Sequence, residues 1–129
     1  MNYDLEERTK RFSGEVIEAL RMLERNEINK PLVSQCVRAA TSVGANYREA
    51  NSASSKKDFK NKIAICRKEV RETKYWLEVI TEANKTQKET FAKLWQEAHE
   101  LDLIFNKIYS SLGGFDRFDP TPDSLQISP

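Results

Sequence analysis

The chain has 129 residues, 32% of them Asp, Glu, Lys or Arg, a mean hydropathy of −0.68 and a formal charge of +1. That length fits one domain whose core needs no disulfide or metal staple. No apolar run approaches the roughly 18 residues of a membrane span, and Met1–Phe12 has no apolar stretch of the secretory kind, so a cytoplasmic protein is expected.

Four glycines and four prolines are few, and three of the prolines fall in the last ten residues, which favours helices over a turn-rich β fold. The first predicted helix runs from Leu5 to Arg25, with Leu5, Phe12, Val16, Ile17, Leu20 and Leu23 in one stripe. Asn26 to Pro31 interrupts it. Pro31 suits the first turn of a second helix, with Asn29 as its cap. That helix carries Val33, Cys36, Val37, Ala40, Val43, Gly44 and Tyr47 on one face. Ala40 and Gly44, one turn apart, leave a shallow groove that Phe59, Trp76 or Trp95 of a neighbour is able to fill.

After the polar stretch Asn51–Ser55, Ser55 with Asp58 resembles a capping box. The third helix follows with Phe59, Ile63, Cys66, Val70, Thr73, Leu77 and Ile80. Thr86 with Glu89 is a fuller capping box and opens the fourth, along Phe91, Leu94, Ala98, Leu101, Phe105, Ile108 and Leu112. Gly113-Gly114 stops it. Short connections force neighbouring helices to be antiparallel, so the expected fold is all-α, an up-down-up-down four-helix bundle over 1–113 with a flexible tail over 114–129.

Cys36 and Cys66 stand among apolar helical positions and read as reduced core thiols. Two cysteines and His99 make no convincing metal site, and His99 reads as a helix-surface residue. Gly-rich phosphate loops, Cys/His or Ser/His pairings and Glu-x-x-His pairs are missing, so no catalytic residue, metal or cofactor is assigned.

The third helix has two further faces. Ile65, Trp76 and Val79 lie beside Glu69 and Glu72, a pattern that fits burial between neighbouring helices or a subunit interface. Arg48 is the expected partner of the two glutamates. Lys56, Lys60, Arg67, Arg71 and Lys74 fall within an arc of roughly 60° at 100° per residue. Lys56–Glu82 carries eight Lys/Arg against five Asp/Glu, whereas the segment from Gly113 onward is −2. A basic stripe on a helix is the minimal footprint for phosphate backbones, although a solvated face reads the same way.

With these residues in view, the chain resembles the bacterial four-helix-bundle proteins first noticed as open reading frames in intervening sequences of 23S ribosomal RNA genes. The resemblance rests on "YDLEERT" at Tyr3–Thr9, "TSVGANYREA" at Thr41–Ala50, "DFKNKIAICRKEVRETKYWLE" at Asp58–Glu78 and "EAHELDLIFNKI" at Glu97–Ile108. It implies a closed homo-oligomer, a pentamer in known members. A related branch, the accessory protein of diversity-generating retroelements, binds nucleic acid and works with a reverse transcriptase. Asn46, Arg48, Glu49, Lys68, Glu69 and Glu72 match the polar signature and suggest, with Ile65, Trp76 and Val79, an oligomer interface or ion-pair network. Ala39-Ala40 stands where many members have Ser-Gly, and the basic character is weaker than in the retroelement branch.

The expected function is thus a non-enzymatic homo-oligomeric bundle that binds RNA or DNA through Lys56, Lys57, Lys60, Arg67, Arg71 and Lys74, as an accessory to a nucleic-acid enzyme. The alternative is an oligomeric scaffold that engages a protein partner without binding nucleic acid.

Overall fold

Apolar side chains spaced three and four apart leave each segment one stripe to bury, and four such stripes close on one another. The structure, a computed structural model, describes residues 2–113; the expected flexible tail, 114–129, lies outside the described residues. The helices are α1 (Asn2–Arg21), α2 (Asn29–Ala50), α3 (Lys56–Ala83) and α4 (Lys88–Ser111), the last entered through a 3-10 turn at Lys85–Gln87. No helix among them is long and apolar enough to cross a membrane.

Cross-helix partners fix the antiparallel order. Between α2 and α3, Asn29 meets Asn84, Arg38 meets Glu69 and Glu72, and Glu49 meets Lys62. Between α3 and α4, Lys74 meets His99 and Glu78 meets Trp95. Helix α1 closes the ring against α2 and α4, through Ser13 Oγ to the Ala40 carbonyl and an Arg8–Glu97 pair. The bundle is up-down-up-down.

The core stripe of α3 is buried from Ile63 to Ile80, and the sequence expectation holds along it. Phe12, Val16, Phe91, Leu101 and Phe105 face it, and Tyr47 meets Phe105 edge-on at 5.7 Å. Each such side chain contributes about 1.5–3 kcal/mol when removed fully from water. Cys36 and Cys66 are free and buried in this core, and burial pushes both thiols up to about 12.

The helix ends depart from expectation in three places. Helix α1 stops at Arg21, four residues short of the predicted end. At the start of α2 it is Asn26 that accepts the Asn29 amide at 2.7 Å, while the Asn29 side chain ties Glu24 to Asn84. Ser55 caps α3 by accepting the Asp58 amide at 3.0 Å, as predicted, but Thr86 caps nothing: it sits inside the 3-10 turn, and Gln87 takes the N-cap position of α4 without a side-chain bond.

Gly44 is explained by α1 and not by an aromatic. A Cβ placed there would lie 3.0 Å from Thr9 Oγ1 and 3.3 Å from Thr9 Cβ. Thr9 is itself buried and donates its hydroxyl to the Leu5 carbonyl at 2.9 Å, so it has little room to retreat. The glycine's helix-propensity cost of about 1 kcal/mol is offset by this close crossing.

Two outcomes follow from this packing. Gly44→Leu overfills the crossing and lowers stability by about 1–3 kcal/mol, read as a shift in the urea midpoint, whereas Gly14→Leu, which faces open space, does not. The buried thiols make stability fall with rising pH. Below pH 9 they are protonated folded or unfolded; between about 9 and 12 only the unfolded state gives up its protons. Each thiol then removes about 1.4 kcal/mol per pH unit, and a Cys36→Ala/Cys66→Ala protein shows a shallower alkaline limb.

Candidate nucleic-acid interface

Helix α3 packs on α2 with one flank and on α4 with the other, and its charges are sorted between them. The α2 flank carries Glu69 and Glu72. Arg38 of α2 donates to Glu69 at 3.3 Å and makes a short ion pair with Glu72. Partial burial pushes the Glu72 carboxyl up, but hydrogen bonds from Trp76 and Arg38 and the charges of Arg38 and Lys68 outweigh it, leaving the group below its ordinary value. The partner of these glutamates is therefore Arg38, not the expected Arg48, which reaches Glu6 of α1 at 3.8 Å. Lys62 bonds Glu49 at 2.9 Å, and Asn46 turns back to the Ser42 carbonyl of its own helix. Ile65 and Trp76 are half-buried on or beside this flank, whereas Val79, also half-buried, lines a shallow hollow with Phe91 and Trp95 of α4.

The basic stripe lies on the other flank, and α4 absorbs much of it. Lys60 is only 3% exposed, with its ammonium 4.3 Å from the Tyr109 ring centre. The Arg67 guanidinium sits 4.1 Å from that ring. Electron-rich ring faces stabilise cations that have lost water. Farther along, buried Asp102 accepts Arg71 Nε at 3.0 Å and Lys74 Nζ at 3.4 Å. Lys74 also reaches His99 Nδ1 at 2.9 Å and lies 4.7 Å from the Trp95 ring centre. His99 stacks on Trp95 with the rings 10° from parallel, so it belongs to the seam and not to the open surface.

Of the six cations expected to contact phosphate, the structure leaves Lys56, Lys57 and Arg71 exposed. It seats Lys60, Arg67 and Lys74 in the α3–α4 seam. Lys68, grouped through the family resemblance with the interface or ion-pair residues, is exposed in the single chain. Lys57, Asn61, Lys68, Arg71 and Tyr75, with half-buried Ala64 among them, form the solvent row of α3, spaced three and four apart, and no carboxylate interrupts it before Glu78. The row is about 27 Å long at the helical rise.

Residues that the sequence did not single out also shape the surface. Tyr75 is 56% exposed, and Trp76 braces its ring edge-on at 5.1 Å. Arg8 grips Glu97 with two nitrogens and Glu100 with one, pinning α1 to α4. Their signal in the sequence was faint, since pairs this far apart become visible only when the helices are placed. Between α1 and α2, at the end holding their connection, Ile17, Leu20, Leu23, Val33 and Val37 floor an open groove of about 720 Å³ rimmed by Arg21, Arg25 and Lys30. Among the described residues no three of His, Cys, Asp or Glu gather as metal ligands.

The bundle has a known structural counterpart. A solved structure described as a protein of unknown function from the S23 ribosomal protein family of Bacteroides thetaiotaomicron is similar, with a TM-score of 0.74 and 29% identity, over 81% of this chain and 96% of that one. No relative among curated proteins matches the sequence. Residues 1–107 match the 23S rRNA-intervening sequence protein family, and with that span covered the chain belongs to it.

Proposed function

We propose that the protein is a non-catalytic, self-associating four-helix bundle that binds the backbone of RNA or DNA through the solvent row of α3. The observation that carries this reading is the absence of any carboxylate along that row from Lys57 to Tyr75. Glu69 and Glu72 are turned toward α2, where Arg38 pairs with both and compensates part of their charge. What remains outward is Lys57, Lys68 and Arg71, with Lys56 beside them. Three or four cations on a chain of net charge +1 make a weak site alone, and repetition in an assembly multiplies it. Ile65, Trp76 and Val79 are half-buried in a single chain and supply an apolar strip for self-association. As an accessory to a nucleic-acid enzyme, such an assembly would contribute affinity and leave sequence choice to its partner.

The second reading, a scaffold for a protein partner, is favoured by the α1–α2 groove, whose floor is apolar and open. Anisotropy titrations with structured RNA and duplex DNA across a salt series decide between them. On duplex DNA the log–log slope is about −0.9 per phosphate contact, so Lys68→Glu with Arg71→Glu flattens it by about two contacts' worth. Lys60→Ala, which removes a side chain held against the Tyr109 ring, lowers stability but leaves the slope near its original value. No binding at low salt by a folded, assembled protein removes the nucleic-acid reading and leaves the scaffold.

Asp102 gives a separate handle because it anchors Lys74 in the seam and holds Arg71 by its Nε, while 46% of the Arg71 side chain stays in solvent. Asp102→Asn is expected to cost about 1.5 kcal/mol in urea unfolding, the low end for a charge-assisted contact, because one of its two partners, Arg71, is half-exposed. The same change frees positive charge and steepens the duplex salt slope.

A further inference from the structure

The row of cations ends in an aromatic ring, and a duplex has no use for it. In a duplex the base faces are already stacked on one another, and a side chain at the surface meets phosphates, sugars and base edges. A single strand presents unstacked faces, and proteins that bind it interleave cations for the backbone with aromatic platforms for the bases. On the solvent row of α3, Tyr75 follows Arg71 by one helical turn, a rise of about 6 Å. A phosphate held by Arg71 therefore places a neighbouring base within reach of the ring.

Tyr75 is also held for the purpose. Most exposed aromatic rings are free to collapse onto the surface that carries them. Here Trp76 meets Tyr75 edge-on, 72° from parallel. Trp76 donates its indole N–H to Glu72 at 3.1 Å, and Arg38 of α2 pairs with the same carboxylate. The brace thus runs through an ion pair to the neighbouring helix, while 56% of Tyr75 stays in solvent.

We propose that the nucleic acid taken by this surface is single-stranded and that Tyr75 is the platform on which one of its bases stacks. This inference rests on the nucleic-acid reading above and narrows it. Phosphates would be met by Lys68 and Arg71, with Lys57 farther along the row, and the base next to Arg71 would lie against the exposed face of Tyr75. Because every base has such a face, the contact selects strandedness and not sequence.

The test compares oligothymidylate of roughly 16 nucleotides, the upper end of single-strand site sizes, with a duplex of equal length, by anisotropy at one salt concentration. The expected result is tighter binding of the single strand. In Tyr75→Ala that preference over duplex falls by about fivefold or more, the low end for one stacked base, while the single-strand salt slope is unchanged. Tyr75→Phe, which keeps the ring and its brace, retains the preference. Thermal melts of both variants confirm that they remain folded. Duplex bound as tightly as the single strand, or a preference indifferent to Tyr75→Ala, overturns this inference while the Lys68- and Arg71-dependent slope keeps the broader reading. Failure of both nucleic acids to bind at low salt overturns both together.

Discussion

An ammonium group removed from water is costly unless something stabilises its charge, and Lys60 at 3% exposure poses that problem at the centre of this fold. Tyr109 of α4 answers it by lying beneath Lys60 and Arg67 together. The register of α4 on α3 is then fixed, because the next turns bring Asp102 to Arg71 and Lys74, and Trp95 and His99 to Lys74. One seam thereby decides which cations are spent on folding and which are left for solvent. A helix with a plain apolar flank would have left the whole stripe outside.

The opposite seam follows the same logic with the signs reversed. Glu69 and Glu72 face α2, and a single arginine, Arg38, serves both. Helix α1 joins by different means. Small residues let it approach α2 closely at Thr9 and Gly44, and Ser13 reaches the Ala40 carbonyl across the same gap. Arg8 holds its other side to α4. Toward the α1–α2 connection that closeness is lost, and the two helices part over the groove floored by Ile17, Leu20 and Val33.

The fold was legible because burial at spacing three and four survives any detail of packing. Ile63, Cys66, Val70, Leu77 and Ile80 are buried as their spacing requires. The surface was less legible, and the reason is angular. A helical wheel places Lys60, Arg67 and Lys74 on one arc, but it cannot say that α4 lies on that side. Stripe and seam look identical until the neighbour is placed. The same blindness assigned Glu69 and Glu72 to Arg48 when Arg38, on the turn that faces them, was nearer. The capping box at Thr86 failed for a local reason: a 3-10 turn at Lys85–Gln87 took up the chain there and moved the helix start past the threonine. Ser55, with no such turn before it, caps as its sequence indicates.

Sorting the charges has a consequence for assembly under the proposed function. On the α3 wheel the solvent row from Lys68 to Arg71 lies outward, while Glu69 and Trp76 are turned a quarter-turn or more toward α2. An interface built on the α2 flank would bury Ile65 and Trp76 and the pairs of Arg38, whose charges are already partly compensated, so burying them carries less penalty than burying bare ions. The cationic row would stay outside it. Self-association and nucleic-acid binding would then use different faces of one helix, and each added subunit would lengthen the basic surface without covering it. Had α4 not absorbed Lys60, Arg67 and Lys74, those charges would widen the basic surface of every copy and repel their counterparts in neighbouring subunits. Spending them inside the bundle leaves a narrow row, weak in one copy and strong only when repeated.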